Sequence, residues 1–118
     1  MEANYIYGDA ERDIVKSGYK AIEAVLDGHD INAKRRLLFY LDWYIDPYYK
    51  NDLADLSEPL KDLLQKVVIA ENEDDVVEDA LFLLESYMEP PYERLRESID
   101  EVQQQFLPKV RYLINLKD

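Results

Sequence analysis

Apolar residues recur along the chain at steps of three and four and nowhere alternate with polar ones over the length of a strand, so the pattern predicts five helices and no strands. The first spans 9–28, with Asp9 as its N-cap and Ile14, Val15, Gly18, Ile22, Val25 and Leu26 on one face. Arg12, Asp13, Lys16, Glu23 and Asp27 lie opposite, and Gly28 stops the helix. Asp30 or Asn32 caps a second helix to about Ile45, whose core stripe is Leu37, Leu38, Leu41, Tyr44, Ile45 and Tyr48 before Pro47 ends it. After a loop, Ser57 begins a third helix with Pro59 in its first turn, where a missing N–H is harmless. Leu60, Leu63, Leu64, Val67 and Val68 face inward, and the helix ends near Ala70.

Sliding the sequence on itself by 43 residues lays positions 33–67 over 76–110 without a gap, with ten identities. RRLLFYLDWYIDPYY falls on EDALFLLESYMEPPY, pairing Leu38 with Leu81, Phe39 with Phe82, Leu41 with Leu84, Tyr44 with Tyr87, Pro47 with Pro90 and Tyr49 with Tyr92. Ser57 falls on Asp100, so the cap is expected to repeat as well. Two amphipathic helices matching by accident would share apolar character but not prolines, tyrosines and caps. The predicted architecture is all-α: a capping helix (9–28), then two repeated helix pairs (30–70 and 73–116) within one domain covering 1–118. A two-helix unit of this period is the mark of HEAT or armadillo stacking. With so few units, a compact helical bundle describes it equally well.

The 26 acidic and 14 basic residues give a net charge of -12. That balance argues against direct binding to nucleic acid or anionic lipid and favours a basic protein partner. Residues 67–93 hold nine acids, Glu71, Glu73, Asp74, Asp75, Glu78, Asp79, Glu85, Glu89 and Glu93, and no base. The helix dipole accounts for those in a first turn, whereas Glu85, Glu89 and Glu93 lie beyond its reach. No cysteine is present, no apolar run approaches the roughly 20 residues a membrane span requires, and the opening MEANYIYGDAERD has no signal-peptide pattern. A cytoplasmic protein without membrane association is expected.

Catalytic constellations are hard to assemble from these residues. The single histidine, His29, sits beside Gly28 in a turn, and neither thiolate nor histidine sets for zinc are available. ENEDDVVED is acidic but lacks the glycine and terminal glutamate spacing of a calcium loop. No enzyme, cofactor or metal is therefore expected.

Aromatic residues exceed what folding demands: ten tyrosines and one tryptophan, the types that dominate binding hot spots. On the second helix Phe39 and Trp43 share a flank with Asp42 and Asp46; on the fourth, Phe82, Glu85 and Glu89 share the equivalent one. Phe39 and Phe82 can be read as core or as surface. Trp43 is the best contact residue, because its repeat partner is Ser86 and the common packing does not need its bulk. Tyr48, Tyr49 and Tyr92 follow the helix-ending prolines, beside Asp46 and Glu89. Together with Glu78, these side chains suit an Arg- and Lys-rich partner through charge-assisted hydrogen bonds and ring stacking.

The run from Ala80-Leu81 through Tyr87 to Pro90, set in a small acidic helical repeat, resembles HEAT-like immunity proteins of bacterial toxin systems over residues 30–116. The resemblance implies a protein that sits on a cognate toxin, often a basic nuclease, and blocks its active site with acidic residues in place of phosphate. The alternative is a helical scaffold or adaptor, self-associating or not, that uses the same tyrosine-rich surface without inhibiting anything.

Overall fold

The structure, a computed structural model, describes residues 8–71 and 73–115. Of these, 79% are helical and none is in a strand. The expected last residue of the second repeat, 116, and Asn72 of the acidic run lie outside the described residues. Seven α-helices are present among the described residues rather than five, and they fall into two compact units, 1–60 and 61–118.

In the first unit, α1 (Asp9–Ser17), α2 (Tyr19–Leu26) and α3 (Ile31–Ile45) pack on one another. The single helix expected over 9–28 is broken at Gly18, which has φ 103° and ψ -176°. Those torsions are open essentially to glycine alone. The carbonyl of Gly18 accepts from Ala21 and Ile22, so the residue that ends α1 also opens α2. Asp9 is not a cap; Gly8 precedes the helix and donates its N–H to the Glu11 carboxylate at 2.8 Å, while Asp9 pairs with Arg12. Glu11 is buried, and its second oxygen meets Arg36 of α3 at 3.4 Å. Asp30 does cap α3, accepting from the Ala33 N–H at 3.0 Å. Val15, Ile22, Leu26, Leu37, Leu38, Tyr40, Leu41 and Ile45 are buried. Tyr48, expected on this stripe, is 80% exposed, because the chain leaves the helix at Asp46 and makes a 3-10 turn over Pro47–Tyr49.

The boundary between the units falls in the first turns of α4 (Ser57–Ala70). Leu60, Leu63, Leu64, Val67 and Val68 are all buried, as its apolar spacing predicts. Ser57 is itself helical (φ -57°, ψ -52°), continuing a 3-10 turn over Ala54–Leu56, and so caps nothing. Each fully buried leucine contributes about 1.5–3 kcal/mol over an exposed one.

The second unit continues with α5 (Asp74–Tyr87), α6 (Glu93–Glu97) and α7 (Leu107–Ile114). Arg94 forks onto both oxygens of Asp62, at 2.8 Å each. Gln65, 3% exposed, accepts the Leu95 N–H at 3.0 Å and donates to the Lys61 carbonyl at 3.4 Å. Arg96 donates to the carbonyl of Ile114, where α7 ends.

The 43-residue correspondence is strong on α3 and α5 and decays after them. Buried Lys34, Leu37, Leu38, Tyr40, Leu41 and Ile45 fall on buried Val77, Ala80, Leu81, Leu83, Leu84 and Met88. Beyond that, the predicted fifth helix from Asp100 is replaced by 3-10 turns over Ile99–Glu101 and Gln104–Phe106, with α7 starting only at Leu107. Pro108 is the cause. It stands where the first copy has Gln65 in mid-helix, and proline there would remove a hydrogen bond and clash with the preceding turn, so the helix must start beside it. Asp100 thus lies in a turn and caps no helix, and no repeat stack is shown among the described residues.

Candidate protein-binding surfaces

The residues singled out above fall into two groups, each built within one unit. In the first, the end of α3 and the turn after it gather five rings. Trp43 lies 5.5 Å from Tyr40, 6.3 Å from Tyr44 and 5.8 Å from Tyr49, centroid to centroid, and Tyr48 meets Tyr49 edge-on at 5.0 Å. The turn is held by Asp46, which accepts from the Tyr48 N–H at 2.9 Å, and by Tyr44, whose hydroxyl donates to the Asp52 carbonyl at 2.8 Å. Asp42, Trp43 and Asp46 are half-buried, whereas Tyr48 and Tyr49 stand out. The exposed aromatic area here therefore belongs to the two tyrosines more than to Trp43. Phe39, on the same helix, is surface, at 50% exposure.

The second group lies on α5. Asp74, Glu78, Leu81, Phe82 and Glu85 line one side of a groove of about 420 Å³, faced by Gln105, Phe106 and Lys109. Leu81 and Phe106 are buried, and Phe82 stands 52% exposed with its ring edge-on to Tyr87. Lys109 pairs with Glu85 at 2.8 Å and lies 5.7 Å from the Tyr112 ring. Asp74 and Glu78 are exposed, with no side-chain partner among the described residues. Glu89 is exposed beyond the end of α5.

Tyr92 is a correction. Expected as a contact residue equivalent to Tyr49, it is 1% exposed and its hydroxyl donates to the carbonyls of Leu84 (3.1 Å) and Met88 (3.0 Å). It closes the end of α5, sharing the Leu84 carbonyl with the Met88 N–H and reaching the Met88 carbonyl just past the helix. Burial, and then the nearby charges of Glu85 and Glu89, raise its pKa by disfavouring the phenolate. Lys61 sits 5.3 Å from the centre of its ring. Sequence reasoning missed Phe106 and Lys109, which form the far wall of the groove; their signal was the 43-residue step that places them on Leu63 and Lys66.

The basic run Lys34-Arg35-Arg36 does not form an exposed cationic patch. Lys34 is buried, Arg36 is paired with Glu11, and Arg35 is half-buried. Among the described residues no three acidic or histidine side chains gather as a metal ion would need, and no helix is long and apolar enough to cross a membrane. Asp62 has its pKa lowered, first by the hydrogen bonds from Arg94. No family model, curated protein or solved structure matches the chain.

Proposed function

We propose that this chain is a non-catalytic protein-binding module that takes a basic partner on the acidic surface of its second unit, in the manner of an immunity protein on its toxin. One observation carries the reading. Asp74, Asp75, Glu78, Glu85, Glu89 and Glu93 are all exposed on a stretch that contains no base, beside the uncovered ring of Phe82. Asp74, Asp75 and Glu93 lie in first helical turns, where the dipole favours them, and Glu85 pairs with Lys109, yet like charges so concentrated still repel one another at a cost in folding stability. They do steer a cationic protein to the surface, raising its association rate at low salt. The exposed ring of Phe82, in the same unit, offers apolar area whose burial slows dissociation once contact is made.

The test is kinetic and cellular. The partner retained by the immobilised chain is identified, purified and titrated against it at low and high salt. A basic partner whose association slows with salt, and whose toxicity in a host cell is relieved by co-expression of this chain, is the expected result. An acidic partner, or an affinity indifferent to salt, would overturn the reading. Binding to a basic partner that is not toxic would leave an adaptor in place of an inhibitor.

A further inference from the structure

Resting on that reading, we infer that the groove between α5 and α7 docks a segment of the basic partner in which an apolar side chain is flanked by Lys or Arg, and that Lys109 is an internal competitor for it. Asp74, Glu78 and Glu85 are separated by four and seven residues, close to one and two helical turns, so their carboxylates line one edge of α5. Leu81 and Phe82 fall between them on the same side, and Phe106 faces them across the groove. A purely cationic ligand leaves Phe82 in water, and a purely apolar one leaves the carboxylates unpaired. A segment alternating the two satisfies both.

Charge complementarity selects this occupant over a second copy of the chain, which at a net charge of -12 would repel the first. Within the groove the occupant's chemistry is already sketched by the protein itself. Lys109 places an ammonium on Glu85 at 2.8 Å while its stem lies against the groove, as a partner lysine would. Asp74 and Glu78 have no such counterpart among the described residues. Removing Lys109 should therefore free Glu85 for the incoming cation and tighten binding, the opposite of what loss of a contact residue does.

The probes are three short synthetic peptides of equal length: Lys/Leu, Lys/Ser with the same charge, and Glu/Leu. Isothermal titration of the full chain should find the Lys/Leu peptide bound about tenfold more tightly than Lys/Ser, and Glu/Leu not bound. Asp74→Asn with Glu78→Gln should weaken Lys/Leu binding about tenfold, and Phe82→Ser should abolish the preference for Leu over Ser. Lys109→Met should strengthen binding by about threefold or more, whereas Arg111→Met, the same charge change outside the groove lining, should give less. Glu58→Gln with Glu101→Gln, two exposed acids outside the groove lining, controls for net charge. Equal binding of the two cationic peptides, or equal losses in groove and control variants, would sink the groove while leaving a charge-steered basic partner intact. If no cationic peptide binds and a purified basic partner does, the groove is again excluded; if neither binds, both readings fall.

Discussion

Phe39 and Phe82, which occupy equivalent positions 43 residues apart, stand 50% and 52% exposed. Neither is core, although each lies next to a fully or nearly fully buried leucine. Truncating either to alanine should change unfolding free energy by no more than about 0.5 kcal/mol, the range for surface substitutions. Chemical denaturation of both variants measures it, and a loss above about 2 kcal/mol would place these rings inside the fold.

Leu41 and Leu84 are the opposite case, both at 0% exposure. Leu41→Ala and Leu84→Ala should each cost about 2–5 kcal/mol through lost transfer energy and the cavity left behind. Urea midpoints read against wild type settle this.

At Tyr92 the expectation has two parts. Tyr92→Phe removes the hydroxyl that closes α5 and should cost about 0.5–1.5 kcal/mol at neutral pH. Because the folded-state pKa is raised, the stabilisation is complete below the ordinary phenol value of about 10 and is lost as pH rises through the folded value. Wild type should thus lose more stability than Tyr92→Phe between pH 9 and about pH 11, a difference readable by fluorescence-detected denaturation.

The Asp62–Arg94 fork makes the complementary claim on the acid side. Its lowered carboxyl pKa means stabilisation present at neutral pH and lost as pH falls from about 4 through the folded value. Both side chains are about half exposed, so Asp62→Asn should cost only about 0.2–1 kcal/mol at pH 7. The gap between variant and wild type should close in acid.

Gly18→Ala should destabilise by about 1–3 kcal/mol. An added methyl would meet nothing within 4 Å, so the cost is backbone conformation and not collision. D-alanine introduced there by chemical synthesis accepts a positive φ and should restore stability. A gain in helix content with L-alanine would show α1 and α2 fusing instead.

Helical character and phase were legible because apolar periodicity is a direct statement about which side meets the core. Leu37, Leu38, Leu41, Leu60, Leu63, Leu64, Val67 and Val68 are buried as their spacing implies. Boundaries were not, since they turn on single residues with unusual backbone demands. Gly18 belonged to a good apolar stripe, and nothing in the stripe announced its positive φ. Pro108 was visible, yet the repeat alignment laid it over Gln65 and hid its meaning. Similarity also misled at Tyr92, where an identical residue in an equivalent place seals a helix end, while Tyr49 faces solvent. The acidic members of the candidate site were legible as charge; the groove that gives them a shape was not, because its far wall comes from a 3-10 turn and a short helix that the pattern did not foretell.

Helix α6 has five residues, too few to persist alone, and its Leu95 amide is held by the side chain of Gln65 rather than by a carbonyl one turn back. That amide can exchange with solvent only when the Gln65 contact parts. Its deuterium uptake should therefore follow the opening of the middle of α4, making one backbone proton in a short helix a clock for the helix beside it.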